Sequence, residues 1–344
     1  MNPAVRQLYD VHAPYRVVEI LPGIFRIPVP LPRNPLRELN AYLIRGRERS
    51  LLIDTGFRLP ECRQALREGL QAAGAEGDSL DVFLTHIHTD HTGLAGEMVR
   101  PGGSLYMGRG DFPFTRQAYE DAYWVGIDQR FLREGFPPEE LKATRGTNPA
   151  RNLGPQLDLP NYRMVEDGEV LTVGEYTLQV IATPGHTPGQ LCLWLEEAGI
   201  LFTADHVLFD ITPNITMWPH MPNALGRYLE SLEKVRALPV RLALPGHRHT
   251  ADLGERIQAL FTHHRNRVGE TLAILQREPG LTAYETASRM HWDIKAASWA
   301  QFPLNQKWFA TGEALAHLEY LMEEGQVTRE AGPEGSARYV PRGK

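Results

Sequence analysis

The sequence predicts an α+β fold in which several strands bring polar residues to one edge of a sheet. Over the 344 residues, apolar runs of strand length alternate with stretches of helical periodicity. Four of the apolar runs end in histidine or aspartate, at residues 86–91, 186, 205 and 247. Strand ends that share one rim of a sheet combine sequence-distant residues into one site. Because packing alone favours apolar residues at such ends, this pattern indicates a functional site.

Length and composition are those of an ordinary globular protein with one large and one smaller domain. The chain is 42% hydrophobic and 23% charged, with a net charge of -6, which favours neither a nucleic-acid nor a membrane surface. Residues 1–16 have no apolar signal-peptide core, and no apolar run approaches the ~20 residues of a membrane span. The distant Cys62 and Cys192 match no metal or redox spacing. We therefore expect a cytoplasmic protein with buried thiols.

The N-terminal part predicts an antiparallel, strand-rich opening followed by a helix. Short apolar runs separated by turns occupy residues 17–21, 24–29, 41–45 and 50–53. The last run leads directly into Asp54, which is unusual after a buried strand. We interpret Asp54 as a residue that supports a site from behind, with a turn role as the alternative. Residues 60–74 have apolar residues at helical spacing between an early proline and a final glycine.

A cluster of histidines follows the next apolar run, residues 81–84. His86, His88, Asp90 and His91 lie within six consecutive positions. Histidine and carboxylate side chains are the usual ligands of zinc and similar divalent ions. This loop therefore predicts a metal site.

Residues at about 108–160 interrupt the strand rhythm. Aromatic and charged residues are mixed there, and Tyr119, Tyr123 and Ile127 recur at a spacing of four, which predicts helices. One interpretation is a helical insertion that packs its own small core. The other is a lid or substrate wall beside the metal, and the two are compatible.

Three later strands deliver further residues of the same kind. The apolar runs are residues 176–181, 199–204 and 240–244. The residues that follow them are His186, Asp205 with its neighbour His206, and His247. His186 is held between two Pro-Gly pairs, which predicts a tight, pre-ordered turn.

The order His-x-His-x-Asp-His, then a separate histidine, aspartate and histidine, resembles the metallo-β-lactamase fold superfamily over about residues 17–255. The resemblance implies an αββα sandwich, with two mixed sheets face to face, helices outside and the site along one edge. It implies a catalytic domain over residues 1–255 that includes the insertion. The chain has Asp90 and Asp205 rather than the cysteine that the antibiotic-degrading branch uses in its second site. In this respect it is similar to the hydrolase branches related to glyoxalase II.

The resemblance also implies a ligand set for two divalent ions, zinc being expected and iron or manganese acceptable. The first ion would be bound by His86, His88 and His186. The second would be bound by Asp90, His91 and His247, and Asp205 would bridge the two. Asp90 would also be catalytic, while Asp54 and His206 would orient ligands without binding the ions. Two such ions, ~3.5–4 Å apart, hold a bridging hydroxide that attacks a polarised carbonyl or phosphoryl group.

Residues 256–344 are predicted to form a winged-helix-like domain, as in a subgroup of these hydrolases. A helix over residues 257–276 ends at Pro279-Gly280, and Thr282 with Glu285 predicts a capping box. A third helix is predicted after Gly312, and two short strands, 325–329 and 337–340, would form the wing. The third helix contains four glutamates and no lysine or arginine, which opposes binding to phosphates. We therefore expect a structural or dimer-forming cap rather than a nucleic-acid-binding domain.

The expected function is hydrolysis of a small ester-like bond, with a thioester such as an acyl-CoA as first choice. A lactone is the nearest alternative, because the aromatic residues of the insertion could hold an acyl chain. An RNA nuclease or phosphodiesterase is the alternative of a different class, but it needs a basic track that this acidic chain does not show. A flavin-partnered reductase would need a further domain, and a non-catalytic binding module does not need a full ligand set. The expected partner is a small-molecule substrate, and a homodimer is possible.

Overall fold

The computed structural model describes residues 16–117, 120–146 and 162–343. Tyr119 and the end of the predicted insertion lie outside these ranges. The described residues form two compact units. The first unit comprises the described residues within Met1–Arg116, Leu153–Pro213 and Ser231–Ile257, and the second comprises those within Gln117–Asn152, Asn214–Glu230 and Gln258–Lys344. The division after residue 255 remains a prediction.

Two mixed sheets form the centre of the first unit. The first sheet contains β1 (Val18–Leu21), β2 (Ile24–Pro30), β3 (Glu38–Ile44), β4 (Arg49–Ile53), β5 (Ser79–Leu84), β6 (Leu105–Gly108) and β7 (Tyr162–Val165), in that order. Its strands are antiparallel from β1 to β4 and parallel from β4 to β7. The second sheet contains β8 (Val170–Val173), β9 (Tyr176–Ala182), β10 (Leu191–Leu195), β11 (Ile200–Ala204) and β12 (Leu242–Pro245). In it, β11 and β12 pair in parallel and the other neighbours are antiparallel.

The helices flank these sheets in the first unit and dominate the second. In the described ranges they are α1 (Pro60–Ala72), α2 (Thr89–Thr92), α3 (Ala95–Met98), α4 (Phe114–Gln117), α5 (Asp121–Arg133), α6 (Pro138–Thr144), α7 (Ala224–Arg236), α8 (Leu253–Arg277), α9 (Ala283–Ala287) and α10 (Leu304–Glu323). In those ranges, no helix combines the length and the apolar character that a membrane crossing requires.

Side-chain alternation along the strands creates two cores in the first unit. In β3, Tyr42 and Ile44 belong to a core shared with the second sheet, whereas Ala41 and Leu43 belong to a core that includes buried residues of α1. Successive side chains of a strand point to opposite faces, so one strand supplies both cores. The ring of Tyr42 meets that of Phe202 on β11 edge-on, with centroids 5.2 Å apart. The predicted sheet-on-sheet sandwich is confirmed.

The second unit has a helical core closed by a hairpin. The capping box of Thr282 and Glu285 at the start of α9 is confirmed. Strands β13 (Val327–Ala331) and β14 (Ala337–Pro341) pair antiparallel where the wing was predicted, while the winged-helix assignment itself remains a prediction. Helices α5 and α6 confirm the predicted helices of the insertion. Their apolar residues share one core with α10, and the ring of Phe131 stacks on Trp308 at 4.8 Å.

The predicted start of the third helix is wrong. Helix α10 begins at Leu304, directly after Pro303, and passes through Gly312. One glycine costs a helix only about 1 kcal/mol, which the buried residues on either side offset. The helix consequently contains one lysine, Lys307, which is buried and ion-paired to Glu140 at 2.7 Å.

Candidate metal centre

The structure brings all seven predicted ligands together in the first unit. Each follows the end of a strand: β5 for the first four, then β9, β11 and β12. The set is His86, His88, Asp90, His91, His186, Asp205 and His247. Six of the seven residues are buried and His88 is partly buried. Their ligand atoms form three overlapping groups, and within each group these atoms lie within 4.8 Å of one another.

The first trio consists of imidazoles from two loops. His86 Nε2 lies 3.1 Å from His88 Nδ1, and His186 Nε2 lies 3.0 Å from the same atom. His86 and His88 come from the loop after β5, whereas His186 comes from the Pro-Gly turn after β9. His88 Nδ1 thus contacts both of the other ring nitrogens, and all three ligand atoms lie within 4.8 Å of one another, a spacing that suits a shared cation.

The second trio combines one carboxylate with two imidazoles. His91 Nε2 lies 3.3 Å from His247 Nε2. Asp90 Oδ2 lies 3.4 Å from His247 Nε2 and 3.9 Å from His91 Nε2. Asp90 and His91 lie in the short helix α2, whose start directly follows His88.

Asp205 stands between the two trios. Its Oδ2 lies 3.8 Å from His186 Nε2, and its Oδ1 lies 3.5 Å from the Nε2 atoms of both His91 and His247. Among the described residues, Oδ1 has no hydrogen-bond partner although it is buried. The two oxygens of this carboxylate therefore face different trios.

Hydrogen bonds behind the site fix which imidazole nitrogen carries the proton. His91 Nδ1 donates to Asp54 Oδ2 at 2.7 Å, and His247 Nδ1 donates to the Glu38 carbonyl at 2.7 Å. His86 Nδ1 lies 3.1 Å from Thr85 Oγ1, whose own proton goes to Asp54 Oδ2 at 2.8 Å. In the neutral imidazoles, each Nε2 is thus left with a lone pair directed into the centre.

Comparison with known proteins identifies this arrangement. The profile of the metallo-beta-lactamase superfamily matches residues 35–247, which is more than half of the chain and contains all seven residues. The chain belongs to the metallo-beta-lactamase superfamily. A second profile, the metallo-beta-lactamase-like C-terminal domain, matches residues 299–342.

Three similar proteins extend this result. A metallo-beta-lactamase family protein from Thermus thermophilus is 34% identical, with a TM-score of 0.77, over 94% of this chain and 100% of that chain. The lactamase-like protein nscB of Aspergillus fumigatus is 25% identical over 91% of this chain and 89% of its own length. The atrochrysone carboxyl ACP thioesterase nsrC of Aspergillus novofumigatus is 28% identical over 79% of this chain, which spans 66% of that relative. The chain is a metal-dependent hydrolase of this superfamily.

The charges of this metallo-beta-lactamase centre fit divalent cations. Burial outweighs the other influences on His88 and lowers its pKa to about 3, and burial also holds the pKa of His86 well below its usual value, so these two imidazoles of the first trio offer neutral donors. In the second trio burial lowers the pKa of His247, but Asp205 and Asp90 overcome it and raise the pKa to about 10. Burial likewise opposes ionisation of Asp90, yet His91 and His247 hold its pKa at about 2. Without an ion, protons on the histidines balance the buried carboxylates. A divalent cation would replace those protons.

The two predicted supporting residues differ in what the structure shows of them. Asp54 accepts the His91 ring proton and two hydrogen bonds from Thr85, as expected for a residue that orients ligands. His206 is fully buried, and burial lowers its pKa to about 3. Its supporting role remains a prediction.

Two buried polar residues of the centre were missed in the sequence. Asn40 Nδ2 donates to the carbonyls of Pro245 and Arg248, at 3.0 and 2.9 Å, on either side of His247. Asp111 accepts hydrogen bonds from both loops of the first trio. Asp111 follows the end of β6, so the strand-end rule that selected Asp205 could have found it. Asn40 could have been noticed as a polar residue inside an apolar strand.

Proposed function

We propose that this hydrolase cleaves thioesters with two divalent ions, one held by His86, His88 and His186 and the other by Asp90, His91 and His247. The observation that carries the two-ion arrangement is the position of Asp205. Its Oδ1 faces the second trio at 3.5 Å and its Oδ2 faces His186 of the first at 3.8 Å. A carboxylate with one oxygen toward each trio is the ligand expected between two cations.

The reaction draws on both the ions and the protein. Divalent ions bound there would supply Lewis acidity toward a substrate carbonyl and would lower the pKa of the attacking water. Asp90, as a buried carboxylate beside His247, would accept a hydrogen bond from that water and orient it. Asp54, Thr85 and the Glu38 carbonyl would hold the imidazoles in the tautomer that keeps Nε2 unprotonated.

Thioesters are the proposed substrates because of the relatives and the chemistry. Two relatives named atrochrysone carboxyl ACP thioesterase, from Aspergillus novofumigatus and Aspergillus fumigatus, are 28% and 27% identical to this chain. A thiol leaving group has a pKa of about 8.5, so it departs without a strong proton donor. Zinc is the proposed metal, since imidazole and carboxylate ligands suit it.

A substrate panel tests the proposal. The purified chain, loaded with zinc, would be assayed for thiol release from acyl-CoA, acyl-pantetheine and acyl-carrier-protein thioesters, with lactones and an RNA as competing classes. A thiol reagent suits this assay because Cys62 and Cys192 are buried, and burial raises their pKa values to about 11 and 12. Turnover of lactones without turnover of thioesters would contradict the proposal and indicate a lactonase. Cleavage of the RNA would contradict it and indicate a nuclease.

Matched variants link turnover to the centre. His186→Ala and Asp90→Ala should lose bound metal and activity while circular dichroism stays unchanged. His291→Ala and Asp293→Ala replace exposed residues of the second unit and should retain both. The unmodified protein should bind close to two zinc ions per chain. A protein that binds no zinc would contradict the proposal.

A further inference from the structure

A buried carboxylate that the ligand set does not include connects the two loops of the first trio. Asp111 Oδ2 accepts the backbone N–H of Ile87 at 2.8 Å and the hydroxyl of Thr187 at 2.7 Å. Its Oδ1 accepts the backbone N–H of Gly189 at 2.6 Å. Ile87 lies between His86 and His88, and Thr187 directly follows His186. Each donor thus adjoins or closely follows a proposed ligand.

The segment that contains Asp111 packs so closely on the turn after His186 that neither can shift against the other. A Cβ on Gly189 would lie 2.3 Å from Asp111 N, and a Cβ on Gly110 would lie 2.4 Å from the Pro188 carbonyl oxygen. Backbone therefore packs directly on backbone here. At the base of the same loops, Leu191 N donates to the Thr85 carbonyl at 2.8 Å. The His86–His88 loop and the His186 turn are tied at both ends.

The charge of Asp111 has no cation to balance it among these contacts. Its three hydrogen-bond donors here are two backbone N–H groups and one hydroxyl, and the side chain is fully buried. Burial raises its pKa to about 6, against the lowering effect of those three donors. Keeping a carboxylate without a cation in such a place is costly for the fold, which indicates that it serves the site.

We propose that Asp111 is a positioning residue that fixes the distance between His88 and His186 and thereby sets the affinity of the first trio for its ion. This inference rests on the proposed metal-binding role of those histidines. The hydrogen bonds described for Asp111 go to none of the seven ligands, so it acts through Ile87 and Thr187. Asp54 has the corresponding place for the second trio, where it contacts His91 directly. Asp54 reaches the first trio only through Thr85, which contacts His86, so the connection between His88 and His186 is left to Asp111.

The variant Asp111→Asn keeps the size of the side chain and removes one of its two acceptor oxygens. An amide has one acceptor oxygen, so it can serve either Oδ1 or Oδ2 but not both. Its NH2 group then faces the N–H of Gly189 or that of Ile87, which leaves a buried donor unsatisfied and loosens the connection between the two loops. Thr187→Val removes one donor and preserves the side-chain shape, so it should act in the same direction more weakly.

The control is Asp81→Asn. Asp81 Oδ1 also accepts a backbone N–H, that of Ser104 at 2.7 Å, and it pairs with Arg49 at 3.4 Å. It belongs to the same unit and bonds to neither ligand loop in these contacts. A loss of stability without any loss of metal is expected there.

Graded chelator release of cobalt from the full chain tests the inference. In the unmodified chain two Co²⁺ ions should be retained, and if they are not, the proposed function fails rather than this inference. In Asp111→Asn, one ion should leave at a chelator concentration about tenfold lower. The absorption spectrum of the remaining ion should match that of a His88→Ala chain. Release of both ions as in the unmodified chain, or equal weakening of both, would overturn the positioning role.

Discussion

Asp54 Oδ2 lies 2.7 Å from His91 Nδ1 and accepts the ring proton of this proposed ligand. The same carboxylate accepts the backbone N–H and the hydroxyl of Thr85, at 2.9 and 2.8 Å. One side chain thus sets the tautomer of a proposed ligand and the start of the loop that carries it. Asp54 does this from a left-handed backbone conformation with φ 60°, which aspartate and asparagine tolerate better than most residues.

Asp54→Asn is expected to weaken metal binding by the second trio while keeping the left-handed backbone conformation of residue 54. The amide removes the negative charge behind His91, and loss of such a supporting group typically costs 10–100-fold in metal affinity. Competition with a zinc chelator would measure the change. Asp78→Asn, which alters an acid paired with Arg45, is the control and should bind as the unmodified chain does. An unchanged affinity in Asp54→Asn would show that the contact does not tune the metal.

Asp205→Asn is expected to reduce the bound metal from two ions to one. An amide presents a single oxygen, so it can face one trio but not both. Elemental analysis after gel filtration would give the ratio of metal to protein. Asp210→Asn is a suitable comparison, because Asp210 pairs with His249 at 3.0 Å and lies outside the ligand set. Two ions retained in Asp205→Asn would argue against a bridging carboxylate.

Gly246→Ala is expected to abolish metal binding by filling the centre with one methyl group. A Cβ at Gly246 would lie 2.5 Å from Asp205 Oδ1 and 3.1 Å from His91 Cε1. The methyl group would therefore displace a proposed ligand, and it would also lie 3.2 Å from the backbone carbonyl carbon of Ala204. The control is Gly77→Ala, because a Cβ at Gly77 would meet nothing within 4 Å. Metal content equal to that of the control would contradict the geometry described for Asp205.

The ligand candidates were predictable because strands end where the sequence changes from apolar to polar. His186, Asp205 and His247 each follow such a change, and the sandwich brings those ends to one edge. The site's supports were harder to predict. Asn40 lies inside a strand and Asp111 follows a glycine-rich turn, so neither has a spacing that relates it to a histidine. Most of their partners are backbone groups, so the sequence shows each as a polar residue in or after a strand but does not show which loops it holds.

The second unit shows the limits of local patterns. The start of α10 was misplaced because Gly312 resembles a helix boundary, whereas tertiary packing carries the helix through it. The apolar residues of α5 were predicted as a possible separate core, but Phe131 stacks on Trp308 from the far end of the sequence. Such long-range pairings follow from the assembled unit rather than from either segment alone.

Stability of the second unit is expected to fall as the pH is lowered from about 6.5 toward 4, because of His317. This histidine is buried in α10, and its Nδ1 donates to the Glu313 carbonyl at 2.7 Å. Among the described residues, Nε2 has no hydrogen-bond partner. Burial lowers the pKa of His317 to about 4, with a smaller contribution from Arg267, against the raising effects of the Glu313 carbonyl and Glu270.

The sign of this effect follows from proton uptake. The unfolded chain binds the His317 proton near pH 6.5 and the folded chain near pH 4, so stability is full above the first value and declines through the second. For a fully buried group the loss is up to about 3 kcal/mol. Denaturant unfolding at several pH values would measure it by tryptophan fluorescence, since five of the six tryptophans belong to the second unit. His317→Gln should flatten the slope, whereas His291→Gln, an exposed change, should not. Equal slopes in the His317→Gln and unmodified chains would rule out His317 as the cause.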